Sequence, residues 1–256
     1  MNSGTSPFGR AAELYEEVRP SYPRALVAAV VKFAGLSSDT TVIEVGCGTG
    51  KATRLFAPLC REIVCIDPDP AMLKVARHAL RRRTNVKYVE ATFEGFQLEP
   101  GGFDLLISAQ AFHWVNPDVG YEKAGRALKP AGVIALFWHV DDPLEDELRR
   151  AMDLAYREHA PDLAYRAPGG QPGTSDVAAL LRGTRMFGPV STYAYPWTGS
   201  YDAKEWVKML STFSDHIRVP ERRRVRLFSA LRDVIDAHGG TYRTRTTTTL
   251  FLAKRL

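Results

Sequence analysis

Three glycines at alternate positions, Gly46, Gly48 and Gly50, follow the apolar run Thr41-Val42-Ile43-Glu44-Val45 and lead into a helical pattern. A strand-to-helix turn built this way lets backbone approach a ligand closely and adopt positive φ, because glycine has no Cβ. Its N–H groups can receive a carboxylate or hydroxyl. Two better-known glycine turns share part of the pattern and fail on spacing. A P-loop needs Gly, four residues, then Gly-Lys-Ser/Thr, but Gly50-Lys51 is preceded by Val45 at the required position and followed by Ala52. The dinucleotide fingerprint GxGxxG would place its third glycine at position 51, which is Lys51. What remains is GxGxG. Asp67 closes the next apolar run, Glu62-Ile63-Val64-Cys65-Ile66, where an acidic side chain can accept hydrogen bonds from a ribose diol. Turn and acid together point to one nucleoside-bearing ligand.

Proton chemistry in such a site must come from the carboxyl ends of strands, where ligands sit in open α/β sheets. His113 lies just beyond Phe103-Asp104-Leu105-Leu106-Ile107-Ser108, and an imidazole with a reference pKa of about 6.5 can act as a general base toward a hydroxyl or amine. The same residue, between Phe112 and Trp114, reads equally as one that orients the pocket wall or caps a turn. His139, after Val133-Ile134-Ala135-Leu136-Phe137-Trp138, is the second candidate, and Trp138 reads as pocket lining. Asp104 reads as structural and Lys51 as solvated. Cys47, Cys60 and Cys65 lack CxxC spacing and are odd in number, so they read as small buried apolar residues. No metal site is expected.

Short apolar strands alternate with helical segments through position 138, with Val86-Lys87-Tyr88-Val89 as the third strand and Asp69-Pro70 as the cap and first position of the preceding helix. The pattern predicts a mostly parallel, doubly wound α/β sheet. The turn Lys129-Pro130-Ala131-Gly132 introduces the fifth strand. A polar helix from about Pro143 to Glu158 then precedes the loop Ala167-Pro168-Gly169-Gly170-Gln171-Pro172-Gly173, and 141–188 is expected to be a helical insertion. Tyr193-Ala194-Tyr195 and Leu250-Phe251-Leu252 read as late strands, separated by helices near Ala203 to Ser214 and Glu221 to Ala237. The expectation is a single domain over 1–256.

The composition, 45% hydrophobic and 25% charged, is that of a folded globular protein rather than a disordered one. The longest apolar runs fall far short of the roughly 20 residues that cross a bilayer. The N-terminus lacks a signal-peptide pattern, so the default expectation is a cytoplasmic protein without membrane insertion. A net charge of +5 is mild, although Arg81-Arg82-Arg83 and Arg222-Arg223-Arg224 are dense runs. No stacking aromatics interleave with the first of them, which argues against nucleic-acid binding. No sequence feature sets the oligomeric state.

Val42-Ile43-Glu44-Val45-Gly46-Cys47-Gly48-Thr49-Gly50, followed by Ile66-Asp67-Pro68-Asp69-Pro70-Ala71-Met72-Leu73, resembles the first two motifs of class I S-adenosylmethionine (SAM)-dependent methyltransferases. Ala109-Gln110-Ala111-Phe112-His113-Trp114 and Arg126-Ala127-Leu128-Lys129-Pro130-Ala131-Gly132 resemble later motifs of the small-molecule branch, which includes ubiquinone-biosynthesis and trans-aconitate methyltransferases. Arg19-Pro20-Ser21-Tyr22-Pro23 resembles that branch's lid, here within 1–35. The resemblance implies a Rossmann-like sheet of seven strands with an antiparallel last strand from 246–253. It implies that Gly46, Gly48 and Gly50 bound the methionine part of SAM, that Asp67 holds the ribose, and that Pro68 and Met72 pack near the adenine. Thr92 departs from the pattern, since many relatives place Asp there; Phe93 and backbone groups would take over at the adenine. Ala109 falls on the cofactor side, with Tyr15 and Arg19 closing over SAM and Arg19 facing its carboxylate. Tyr22, Gln110, Trp114, Trp138 and His139 fall on the acceptor side, with His113 as the catalytic candidate. Methyl transfer to a small metabolite, most readily at oxygen, is the function implied. An RNA-modifying enzyme and a SAM-binding cyclase or scaffold are the alternatives.

Overall fold

The computed structural model describes residues 12–142, 147–163 and 176–256. The Gly- and Pro-rich loop at 167–173 and the start of the polar helix at 143–146 lie outside the described residues. Strands β1 (Thr41–Val45), β2 (Glu62–Asp67), β3 (Val86–Glu90), β4 (Phe103–Ala109), β5 (Leu128–Asp141), β6 (Ser191–Asp202) and β7 (Thr241–Lys254) form one sheet in the order β3-β2-β1-β4-β5-β7-β6. β1 pairs in parallel with both β2 and β4, β2 with β3, and β4 with β5. β7 runs the other way. Arg255 donates its N–H to the Gly132 carbonyl at 2.7 Å while Asp142 donates to Arg245 at 2.8 Å, so residue numbers fall along β7 as they rise along β5.

Helices α1 (Ala12–Val18), α2 (Arg24–Ala34), α3 (Thr53–Phe56), α4 (Pro70–Ala79) and α5 (Pro117–Ala127) belong to the first half of the chain. In the second half lie α6 (Glu147–His159), α7 (Val177–Gly183), α8 (Ala203–Leu210), α9 (Ser214–Arg218) and α10 (Glu221–Ala237). Local signals explain several boundaries. Every residue of β1 is buried, as a central parallel strand covered on both faces requires. At α4 the Asp69 carboxylate accepts from the N–H groups of Ala71 and Met72 at 2.8 and 3.3 Å, and Pro70 follows it. That capping satisfies donors the first turn leaves open.

Two expectations about strand length need correcting. The fifth strand begins at Leu128, with Lys129 to Gly132 as an irregularity inside it rather than a turn before it; Ala131 takes a positive φ of 60° there. The two late strands are far longer than their apolar triplets. β7 alternates exposed and buried positions with Thr244, Thr246 and Thr248 inward, a polar pattern whose β-branched residues suit a pleated surface but carry little hydropathy.

The described chain groups into two compact units. One comprises 21–139, 176–195 and 248–256, with a core in which Leu26 and Val30 of α2 and Phe56 of α3 pack with Val42, Ile63, Leu105, Val133 and Leu250 of the sheet. The other comprises 12–20, 140–142, 147–163 and 196–247; there α10 packs on α6 and α8 through Leu227, Leu231 and Ile235, with Met152, Trp206 and Leu210. The second arginine run serves this packing. Arg223 donates to the His159 carbonyl and to Asp162 at 3.2 and 2.8 Å, and Arg224 to the Ile217 carbonyl at 3.1 Å.

Asp104 ties three strands of the first unit together. Its carboxylate accepts from the Thr41 N–H at 2.8 Å, the Thr41 hydroxyl at 2.7 Å and the Lys129 ammonium at 2.8 Å, and these donors hold its pKa below the ordinary value although burial works against them. Asp104→Ala would strand those donors, so it is expected to cost about 1–3 kcal/mol, measured as a lowered denaturant midpoint. Because the folded pKa is depressed, the wild-type advantage over this variant should be present above the unfolded carboxyl pKa and fade as pH falls through the lower folded value.

Candidate functional site

The glycine turn follows β1 at the carboxyl edge of the sheet, and each of its three glycines has positive φ: 70° at Gly46, 55° at Gly48 and 84° at Gly50. The reasons differ. A Cβ on Gly46 would come within 2.3 Å of the Ala111 Cβ, so the turn is pressed against the segment after β4. A Cβ on Gly50 would meet Leu80 at 2.9 Å. At Gly48 no atom of the described residues beyond its chain neighbours lies within 4 Å of the Cβ position, so among them that glycine faces open space. Several N–H groups that the sequence offers to a ligand are used within the protein. Gly46 and Cys47 both donate to the Ile66 carbonyl, at 2.8 and 3.1 Å, and Gly50 donates to Cys47 at 2.9 Å. What the turn presents is close approach rather than a ring of free donors.

Gly48 uses its N–H on Asp67. The bond to Oδ2 is 2.8 Å, and Asp69 donates to Oδ1 at 2.9 Å, which fixes the carboxylate at the end of β2 with one lone pair of each oxygen still open. Burial raises the Asp67 pKa to about 6 against the pull of these two N–H bonds. Glu44, the penultimate residue of β1, has a role that its sequence position does not reveal. It is buried, accepts the Thr53 hydroxyl at 2.6 Å, and burial pushes its pKa up to about 8. Glu44 is therefore protonated at neutral pH. Between about pH 4 and 8 the folded chain keeps a proton that an unfolded carboxyl with a pKa of about 4.3 releases, so stability falls as pH rises through that window. Glu44→Gln mimics the protonated group and should flatten this slope. Denaturant midpoints at pH 5 and pH 8 check it; parallel movement of the two proteins would mean that Glu44 is ionised in the fold.

Beyond β4 the backbone is strained. Gln110 has a positive φ of 58°, held by its N–H bond to the Phe137 carbonyl at 2.9 Å, and its buried Oε1 has no hydrogen-bond partner among the described residues. Non-glycine residues in the left-handed region cluster at functional sites. Phe112–Trp114 form a short 3-10 turn that sets His113 half-buried and Trp114 52% exposed. Phe112 itself is core, packed against Tyr121 and Phe93. Trp138, expected in the pocket wall, is wholly buried on β5, and its indole N–H reaches His113 Nδ1 at 3.2 Å. His139 stacks on Tyr22 with ring centroids 4.9 Å apart, and its Nδ1 lies 2.8 Å from the Thr248 hydroxyl.

The structure thus brings Gly46, Gly48, Gly50, Asp67, Ala109, Gln110 and His113 to one edge of the sheet. Met72 is buried at the start of α4, while Pro68 is exposed. Thr92 is exposed and accepts from the Gly95 N–H at 3.1 Å; Phe93 is buried, under the Lys123 ammonium. Tyr15 and Arg19 belong to the other compact unit, where Arg19 donates to the Thr212 hydroxyl at 2.8 Å and carbonyl at 3.1 Å and stacks on Phe213 at 4.0 Å. Among the described residues no group of three or more His, Cys, Asp or Glu side chains is placed to hold a metal ion, and the three cysteines are free and buried.

Residues 43–136, the span carrying this edge, match the family described as "Methyltransferase domain". A Saccharomyces cerevisiae protein described as "Probable S-adenosylmethionine-dependent methyltransferase CRG1" is 33% identical over 147 residues. That match covers 56% of this chain and half the length of the yeast protein. An uncharacterized methyltransferase of Mycobacterium bovis is 26% identical over 231 residues, covering 90% of this chain and 86% of its own. Residues 43–136 therefore form a methyltransferase domain, and over most of its length the chain is similar to proteins described as methyltransferases. Its fold is also that of phosphoethanolamine N-methyltransferase 2 of Haemonchus contortus, solved in complex with SAM, with a TM-score of 0.59 at 15% identity over 96% of this chain and 57% of that one.

The methyltransferase's own residues fit SAM. The open space at Gly48 is a cradle that any side chain would occupy, and the fixed Asp67 carboxylate keeps lone pairs for a diol. The orphaned Gln110 Oε1 supplies a further buried acceptor at the same edge.

Proposed function

We propose that this methyltransferase acts on a small metabolite, at an oxygen of a hydroxyl or carboxylate, and that it works in the cytoplasm. The observation that carries the reading is the edge at which the glycine turn, Asp67 and the strained Gln110 meet. SAM supplies a methyl on a sulfonium, which an acceptor lone pair takes in line as the carbon–sulfur bond breaks and its electron pair stays on sulfur. The chain's part is placement. Asp67 would hold the ribose hydroxyls, Gly46 to Gly50 would bound the methionine portion, Met72 and Phe93 would lie toward the adenine, and Gln110, Trp114, Tyr22 and His139 would face the acceptor. Fixing the two reactants at contact distance with water excluded can supply most of the acceleration.

A small acceptor is favoured over RNA because part of the second arginine run is spent on packing through Arg223 and Arg224. The name of the Haemonchus protein points to a small acceptor for that fold as well. The single-domain organisation read from the sequence, with a lid in 1–35 and a helical insertion over about 141–188, stands as part of the proposal. No helix among the described residues is long and apolar enough to cross a membrane. The test is incubation with methyl-labelled SAM and separate small-metabolite and RNA fractions. Label in the small-metabolite fraction, with S-adenosylhomocysteine formed in step, is expected. Label in RNA, or SAM bound and recovered unchanged, would overturn the reading.

A further inference from the structure

The geometry points to His113 as a positioning hydrogen-bond donor, locked by Trp138 in the Nε2–H tautomer, so that the acceptor is methylated as an anion and gives no proton to this ring. The inference rests on the methyltransferase reading above. An indole nitrogen only donates, so at 3.2 Å from Trp138 Nε1 the His113 Nδ1 must be the accepting, unprotonated nitrogen. The hydrogen of the neutral ring is then on Nε2.

The indole is fixed by burial, and the backbone that carries His113 is fixed by its turn. Trp138 is fully buried on β5, edge-on to Phe251 with centroids 6.0 Å apart. His113 sits in a turn closed by the Trp114 and Val115 N–H groups, at 2.9 and 3.1 Å from the carbonyls of Ala111 and Phe112, and its ring meets Trp114 at 5.1 Å. Taking up a proton would cost the indole bond and put a charge in a half-buried ring faced by Trp138 and Trp114. Burial alone lowers the His113 pKa to about 4, and no charged side chain among the described residues adds to or offsets it. At neutral pH the ring has an N–H to give at Nε2 and no lone pair there to take a proton.

The chemistry follows from that tautomer. An alcohol must lose a proton during transfer, and His113 has nowhere to put it. A carboxylate or thiolate brings its lone pair ready: the new bond to the methyl carbon uses that pair, the carbon–sulfur pair returns to the sulfonium sulfur, and no proton moves. Nε2–H suits such an anion, because a second lone pair can accept from it while the first reacts.

Long-range nitrogen–proton NMR of the full chain, with S-adenosylhomocysteine added, reads the tautomer directly. The neutral Nε2–H form is expected throughout pH 5–8 for His113, and Trp138→Phe should raise its pKa and weaken the tautomer preference. A His113 that titrates between pH 6 and 7 in the wild type, or carries its hydrogen on Nδ1, would overturn the inference whether or not methyl transfer is seen. Label transfer into the metabolite fraction supplies the second readout. His113→Phe should lower it about tenfold or more by removing the donor, while His113→Gln, which keeps an N–H donor, should retain most of it; calorimetry should show SAM binding alike in both. Equal loss in the two variants, or a methyl ether of an alcohol as the labelled product, would contradict the inference. A methyl ester would support it, and a thioether would keep the anionic acceptor while overturning the oxygen acceptor proposed above. Absence of any label would count against the proposed function, leaving His113 to be decided by the NMR result.

Discussion

Gly46→Ala is expected to abolish measurable SAM binding. The added Cβ would sit 2.3 Å from the Ala111 Cβ, between two pieces of backbone rather than against a flexible side chain, and residue 46 has a φ of 70° that an alanine adopts only under strain. Left-handed backbone costs about 1–2 kcal/mol for an L-residue, and forcing a methyl into a packed contact about 1–3 kcal/mol more. Either the turn or the Gln110-to-Trp114 segment must move, and both carry the site. The expected loss of affinity is about 100-fold or more, the free-energy sum of those two terms. Calorimetry reads the binding and circular dichroism the fold. Gly46→Ala with Ala111→Gly removes the clash but not the strain, and should recover part of the affinity. Full affinity in the single variant would show that the turn does not touch the ligand.

Asp67→Asn is the second large effect. Both carboxylate oxygens accept backbone N–H groups, from Gly48 at 2.8 Å and Asp69 at 2.9 Å, whereas an amide offers one oxygen and an NH₂ that would point donor against donor. The variant should lose about 1–3 kcal/mol of stability through the stranded N–H, and SAM affinity should fall about 10- to 100-fold as a charged acceptor is lost. A pH dependence separates the two losses. The Asp67 pKa stands at about 6 in the folded chain because burial disfavours its charge. In the proposed role the ionised form would accept ribose hydroxyls at both oxygens, so wild-type affinity should weaken as pH falls through 6, and Asp67→Asn should show no such slope. The opposite sign applies to folding without ligand. A raised carboxyl pKa means the folded chain binds the proton more tightly than the unfolded one, so this group's contribution to stability declines between about pH 4 and 6 as pH rises.

The parts of the fold legible in the sequence are those that local chemistry dictates. The GxGxG turn shows because only glycine meets its backbone needs, and the Asp69-Pro70 pair shows because an N-cap and a following proline work within one helical turn. β1, β2 and β4 show because central parallel strands covered on both faces are largely apolar, and the edge strand β3 shows through its Val86, Tyr88 and Val89, residue types that favour strands. β6 and β7 were legible only at their apolar triplets; the threonines and arginines of β7 are buried or exposed by pairing across the sheet, which hydropathy does not report. The division into two compact units is not legible because its boundaries at 139/140, 195/196 and 247/248 fall inside β5, β6 and β7 rather than in a linker.

At the site, residue types were readable and their commitments were not. Gly46, Cys47 and Gly50 look like donors for a ligand, and the folded turn spends their N–H groups on Ile66 and Cys47. Glu44 sits in plain view beside the glycines, yet its protonated state follows from burial and the Thr53 hydroxyl. His113 reads as a base from its reference pKa; Trp138, on another strand, reverses that reading by occupying Nδ1. A contact of this kind depends on β4 and β5 lying side by side, which no local pattern encodes.

The central claim, that this edge of the sheet holds SAM, is tested most directly by titrating the wild-type chain and Gly46→Ala with SAM in a calorimeter at neutral pH. Saturable one-to-one binding by the wild type, lost in the variant, is the predicted result. No binding to the wild type, or binding of equal strength to both, would contradict it.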